Sequence, residues 1–360
     1  MNYVFKIVKN EDGKYAIYEG IDGDLAAVYS DKNGTYDGNV TIVKNESGTY
    51  SITAENGRYF TMNGDASYNY VKFYAESNTI KEVALVPVEL SANIDSSSLT
   101  ISEDITINYY VSMSEAFADA KLQYVINNQD VEVSPVTEGS RYKFSFQVPP
   151  HYMAETITTK LVCNGLELDS EEYSIQTYAQ NILNAPSSSD TLKQFVSDML
   201  RYGEAAQIQQ NHNVENLATT GVVGLSNERA ETPPAIEATP VNASGVETFG
   251  AWFTFATVYF ADVNTIRVKI NTTENVTMKI NNVDVEVTGT TIETDGILPT
   301  AFAQEFVFEL SYNGQVMQTL TYSINAYAYK IQQSSTASTE MKNLALALYR
   351  YGVSATEYNS

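Results

Sequence analysis

The sequence predicts a mainly β protein with α: a small N-terminal β-barrel or sandwich module, then two repeated β-sandwich modules that each end in a helical hairpin. Three observations predict it. Turn dipeptides punctuate the first 88 positions, a set of landmarks in the middle of the chain returns near its end at matched offsets, and within each copy the hydrophobic period changes from 2 to 3.6. A chain of 360 residues exceeds the usual single core, and 43% hydrophobic residues suffice to fill more than one.

Residues 1–88 form the N-terminal module. Asp12-Gly13, Asp22-Gly23, Asn33-Gly34, Asp37-Gly38, Ser47-Gly48, Asn56-Gly57 and Asn63-Gly64 separate short alternating runs, the pattern of antiparallel hairpins. In the run from Tyr68 to Tyr74, parity places Tyr68, Tyr70, Lys72 and Tyr74 on one face and Val71 and Phe73 on the other. With Val71 and Phe73 inward, three tyrosines line a solvent-facing strip on which sugar rings can stack. Asp31 to Asp37 offers oxygen ligands to calcium, but its glycine stands at the fourth position where an EF-hand loop has it at the sixth, so a plain turn is expected.

Residues 89–218 and 246–360 are the two copies. Ile126-Asn127-Asn128-Gln129-Asp130-Val131-Glu132-Val133 returns as Ile280-Asn281-Asn282-Val283-Asp284-Val285-Glu286-Val287. Asn164-Gly165, Tyr173-Ser174-Ile175 and Arg201-Tyr202-Gly203 return as Asn313-Gly314, Tyr322-Ser323-Ile324 and Arg350-Tyr351-Gly352, at the same offsets from one another. Between the copies, residues 219–245 with Pro233, Pro234 and Pro240 read as an extended linker.

The first two thirds of each copy alternate, as in Tyr142-Lys143-Phe144-Ser145-Phe146 and Phe306-Val307-Phe308-Glu309-Leu310, and predict strands. The last third predicts two helices. Ile175, Tyr178, Ala179 and Ile182 share one helical face, as do Leu192, Phe195, Val196, Met199, Leu200 and Gly203 after a break at Pro186, with Asp190 as the expected N-cap. Ile324, Tyr327, Ala328 and Ile331, then Met341, Leu344, Ala345, Leu348, Tyr349 and Gly352, repeat this spacing. A glycine on the buried face of each long helix predicts a close approach, and each hairpin is expected to cover its own module's sheet.

Lys and Arg total 21 against 44 Asp and Glu; a net charge of -23 repels phosphate backbones and excludes nucleic acid as partner. No apolar run reaches membrane-spanning length, so membrane insertion is excluded as well. The single cysteine, Cys163, reads as a buried strand residue. The two histidines, His151 and His212, stand in unlike settings with no nucleophile motif beside them. No phosphate loop, dinucleotide fingerprint or zinc helix is present, so catalytic, metal and cofactor sites are all expected to be absent. Trp252, in Phe249-Gly250-Ala251-Trp252-Phe253-Thr254-Phe255, lies in a run apolar on both parities and reads as core, while its region ranks second to the tyrosine strip as a ligand contact.

Thr106-Ile107-Asn108-Tyr109-Tyr110-Val111, Tyr142-Lys143-Phe144, Met153-Ala154-Glu155-Thr156, Tyr173-Ser174-Ile175 and Met199-Leu200-Arg201-Tyr202-Gly203-Glu204-Ala205-Ala206-Gln207 together resemble an uncharacterised module of secreted and cell-surface multidomain proteins of gut and rumen Firmicutes. Asn56-Gly57-Arg58-Tyr59-Phe60 with Val71-Lys72-Phe73-Tyr74 resembles the small β-module that ends many secreted hydrolases of those bacteria. The resemblance implies an extracellular or cell-surface location, with an export signal outside the present chain. It also implies a non-catalytic role: a glycan-binding or adhesive accessory protein with a polysaccharide or surface glycan as partner, or a spacer or protein-interaction segment of a larger assembly.

Overall fold

The long strands alternate as a period of two requires. In the strand Thr156–Cys163, Ile157, Thr159, Leu161 and Cys163 are buried while Thr156, Thr158 and Lys160 face solvent. Thr159, the polar member of that inner face, donates its hydroxyl to the Glu171 carbonyl at 2.9 Å, which removes the cost of burying it. Cys163 is buried, as expected.

The computed structural model describes residues 5–9, 14–19, 28–30, 34–36, 40–54, 59–62, 71–74, 91–101, 105–114, 117–126, 129–163, 165–260 and 263–360. They form two compact units. One contains Met1–Asp95, Tyr110–Phe144 and Thr159–Glu171; the other contains Ser96–Tyr109, Ser145–Thr158 and Glu172–Ser360.

The mainly β expectation with accompanying helices holds. In the N-terminal region, β1 (Phe5–Lys9), β2 (Tyr15–Glu19), β5 (Val40–Lys44), β6 (Tyr50–Ala54), β7 (Tyr59–Met62) and β8 (Val71–Tyr74) pair in that order as one antiparallel sheet, and β3 (Val28–Ser30) pairs with β4 (Gly34–Tyr36). There follow β9 (Ala92–Thr100), β10 (Thr106–Met113), β11 (Lys121–Ile126), β12 (Gln129–Val133), β13 (Val136–Glu138), β14 (Arg141–Gln147), β15 (Thr156–Cys163) and β16 (Leu166–Ser174). They make two four-stranded sheets, ordered β13-β14-β10-β9 and β12-β11-β15-β16. The division between the compact units falls inside β9, β10, β14, β15 and β16.

In the second unit β16 runs directly into α1 (Ile175–Asn184), capped by the Ser174 side chain, and α2 (Asp190–Gln210) follows. The cap of α2 is Ser189, whose hydroxyl accepts from the Leu192 amide at 3.1 Å; the expected cap, Asp190, is instead the first helical residue, where its charge favours the helix N-terminus. Then come β17 (Val241–Asn242), β18 (Phe253–Phe260), β19 (Asn264–Ile270), β20 (Val276–Ile280), β21 (Val283–Val285), β22 (Thr291–Glu293), β23 (Phe306–Tyr312) and β24 (Gln315–Tyr322). They form a five-stranded sheet, β17-β24-β23-β20-β21, and a three-stranded sheet, β18-β19-β22. Asn281 and Asn282, both at positive φ (51° and 67°), make the two-residue turn between β20 and β21, and Asn313-Gly314 makes the one between β23 and β24. The sheets bury Val258, Ile266, Val268 and Ile270 from one side and Met278, Phe308, Leu310 and Leu320 from the other. Ser323 then caps α3 (Ile324–Gln333) and Ser338 caps α4 (Thr339–Tyr358).

Both buried glycines mark close approaches. A Cβ on Gly203 would lie 2.6 Å from Met153 Sδ, and one on Gly352 would lie 2.6 Å from Phe302 Cδ2; Met153 and Phe302 each cap a short 3-10 turn, Pro150–Tyr152 and Pro299–Ala301. The long helices also face each other, which the expectation of hairpins covering only their own sheets did not include. Tyr202 and Tyr351 stack at 5.6 Å, Phe195 stacks on Tyr351 at 5.5 Å, and the hydroxyls reach outward, Tyr202 to Asn264 Oδ1 (3.1 Å) and Tyr351 to the Ile101 carbonyl (3.0 Å). No helix among the described residues is long and apolar enough to cross a membrane.

The segment 219–245 is mostly irregular, with turns at Gly221 and Gly245, and is bound at several points. Gln180 Oε1 accepts from the Val223 amide and its Nε2 donates to the Val223 carbonyl; Ser197 Oγ accepts from the Ser226 amide. Arg229 makes a two-pronged contact with Glu357 at 2.9 and 2.6 Å, and Arg350 holds Glu228 and the Glu231 carbonyl. The segment ends as β17 on the edge of the five-stranded sheet.

Candidate functional site

β18 and β19 explain where a ligand can meet this protein. Their register pairs Phe255 with Lys269, Thr257 with Arg267 and Tyr259 with Thr265, so these six share one face, while Val258, Ile266, Val268 and Ile270 fill the core on the other. The register shifts between Phe253 and Phe255, a β-bulge. Phe253 therefore points in, and Thr254 and Phe255 point out. Phe255 is 48% exposed and Tyr259 42%.

The bulge also corrects the reading of Trp252 as core. Phe253 takes the buried place, and Trp252 stands 42% exposed at the head of the strand, with its amide donating to Asn271 Oδ1 at 2.7 Å. An exposed aromatic is costly to hydrate and fits a contact surface. The sequence carried a signal for this in the partner strand, where Arg267 and Lys269 alternate with the buried Ile266, Val268 and Ile270 and so identify the wetter face.

Phe255 opens onto a cleft of about 680 Å3 between segment 236–240 and the C-terminal end of α3. Tyr329, Lys330, Gln333 and Ser334 line one wall, Thr239 and Glu237 the other, and Phe255 and Thr254 the side contributed by β18. The volume lies within the range of small-ligand sites, and the lining mixes aromatic rings with hydroxyls and an amide. The segment 236–240 supplies one wall of the cleft.

The aromatic rings are not equivalent. Arg267 lies over Tyr259 with its guanidinium carbon 3.3 Å from the ring centroid, and its Nε donates to Glu293 at 2.8 Å. Burial alone would raise the Glu293 carboxyl; hydrogen bonds from Arg267 and Thr265 and the charge of Arg267 hold it below the usual carboxylate range. Tyr259 is thereby covered on one side. Phe255 has only the Lys269 ammonium, 5.8 Å from its centroid, and stays open.

A second groove, of about 300 Å3, runs between α2 and α4. Its charges satisfy one another: Arg201 reaches Asp198 and the Ser226 carbonyl, Arg350 reaches Glu228, and Glu204 accepts from Thr219. Asp198, 1% exposed, also accepts from Gln194 and Ser354. The groove is a satisfied structural network.

The histidines, read as standing in unlike settings, meet. Their ring centroids lie 5.1 Å apart, Tyr152 packs on both, and His212 Nε2 lies 3.3 Å from Glu155 Oε1. Burial, then the charge of His212, pushes His151 down to about 4. No group of three or more His, Cys, Asp or Glu among the described residues is placed to hold a metal.

Of the tyrosine strip, Tyr68 and Tyr70 lie outside the described residues, as does the Asp31 to Asn33 turn. Lys72 and Tyr74 belong to β8, whose backbone pairs them with Thr61 and Tyr59. Trp252 is thus the ligand candidate whose surroundings are defined. No family model matches the sequence, and no curated protein is similar to it.

Proposed function

We propose that the protein is a non-catalytic, extracellular glycan-binding or adhesive accessory protein, whose sugar contacts lie in the cleft beside Phe255 and extend toward Trp252, the exposed residue that precedes β18. The observation that supports this most is the open aromatic ring of Phe255 at the mouth of a cleft lined by Thr239, Thr254, Gln333 and Ser334. Sugars present apolar ring faces edged by hydroxyls, and a flat ring beside neutral hydrogen-bonding side chains complements both. The location outside the cell rests on the resemblance to secreted modules and on the tyrosine-rich, hydroxyl-rich strands. Trp252 stands exposed, so a polysaccharide chain can continue past the cleft.

The second reading, a spacer or protein-interaction segment of a larger assembly, is favoured by the bound segment 219–245 and the stacked Tyr202 and Tyr351, which tie the two helical hairpins together. A glycan array separates the two. The parent is expected to retain a restricted set of plant, mucin or starch glycans, and the double variant Phe255→Ala, Tyr329→Ala, with its fold checked by circular dichroism, is expected to lose them. A flat array response by the parent would leave the spacer reading.

A further inference from the structure

We propose that the glycan taken by this cleft is acidic, a polysaccharide whose carboxylates come from uronic acid residues; this rests on the cleft being a glycan site. The chain carries 44 acids against 21 bases, yet the surroundings of Phe255 reverse that balance. Lys269 stands exposed with its ammonium 5.8 Å from the Phe255 ring, and Lys330, also exposed, lines the cleft wall. Neither has a carboxylate within 4.0 Å among the described residues, whereas Arg201, Arg229, Arg267 and Arg350 are all paired. Lys330 and Glu237 are the charged residues lining the cleft and balance each other, and Lys269, outside that lining but near the Phe255 ring, adds the positive charge beside it.

That arrangement fits one ligand geometry. A uronic acid residue carries an apolar ring face and a single carboxylate at its edge, so the ring can stack on Phe255 while the carboxylate meets an ammonium at the rim. The rest of the chain, at -23, opposes polyanions at long range, but screening at physiological salt confines that field to about 8 Å while leaving direct contacts intact. One surplus positive charge suits a polymer with one carboxylate per sugar. It does not suit densely sulfated chains, for which the overall repulsion is several times larger.

Isothermal titration calorimetry tests this with oligosaccharides of polygalacturonate and alginate, each before and after chemical reduction of its carboxyls to neutral sugars, and with heparin. The parent is expected to bind at least one native uronan about tenfold more tightly than its reduced form. Lys269→Gln and Lys330→Gln should each lose several-fold more affinity for the native oligosaccharide than for its reduced form. Equal affinity for native and reduced forms, with both variants at parent level, would overturn the acidic ligand while leaving the glycan site standing. Neutral glycans bound with both uronans ignored would do the same, and heparin as the tightest ligand would overturn the carboxylate. Failure of the parent to bind any glycan on the array would overturn the site itself.

Discussion

His151 is a neutral ring in a place that penalises its charge. Its pKa of about 4 lies below the ordinary 6.5, with burial the larger cause and the neighbouring His212 the smaller. Tyr152 and His212 pack on it, and Glu155, the nearby carboxylate, is already engaged by His212 and by Asn213 Nδ2 at 2.6 Å. A folded-state pKa below the unfolded one contributes stability that is present above pH 6.5 and is lost as pH falls toward 4. After discounting for the ring's partial solvent access, the loss is about 1–2 kcal/mol. His151→Thr, which places at 151 the residue found at 300, should therefore flatten the fall in Tm between pH 7 and pH 4.5 relative to the parent; parallel curves would show that His151 titrates normally. The meeting of His151 with His212 was illegible in the sequence, because 61 positions separate them and neither lies in a periodic run. Cys163 was legible, since its strand alternates cleanly. Trp252 misled because a bulge in β18 cannot be seen in a run that is apolar on both parities.

At the scale of elements, the helical stripes were legible because apolar positions recur at turn spacing, and α2 and α4 contain them and run on to Gln210 and Tyr358. What the stripe could not show is the partner. Gly203 and Gly352 both approach 3-10 turns, but the neighbours differ in stiffness. The Met153 thioether can swing aside, leaving the Pro150 carbonyl at 3.1 Å and Met153 Cβ at 3.2 Å, whereas Phe302, 2% exposed, has its ring as near as 2.6 Å and its Cβ at 3.1 Å from the added methyl. Gly352→Ala should therefore cost about 2–3 kcal/mol through overpacking. Gly203→Ala should cost less, about 1–2 kcal/mol, because the nearest overlap is with a flexible thioether. Urea unfolding midpoints would measure both, and equal losses or the reverse order would refute the distinction. The cap of α2 teaches a similar lesson: Ser189 and Asp190 are both good caps, and the choice rests on which backbone is extended, Ser189 at φ -65° and ψ 155°.

For the whole molecule, composition and turn spacing made the β-rich class legible, because alternation and Asn-Gly turns are local properties. Tyr202 meeting Asn264 and Tyr351 meeting Ile101 are long-range pairings between segments with no sequence signal to link them. The linker illustrates the same limit. Pro233, Pro234 and Pro240 lie in a stretch without helix or strand, but the attachment of the segment depends on Arg229 and Arg350 reaching Glu357 and Glu228 across more than a hundred positions. Segment 236–240 lines the cleft, so ligand binding and the stability of that segment should be coupled. Hydrogen exchange in the presence of a saturating retained glycan tests the central claim most directly. Slowed exchange concentrated at residues 236–240, 252–259 and 329–335 is the expected result, and protection confined to the β7–β8 hairpin, or none beyond the free protein, would contradict it.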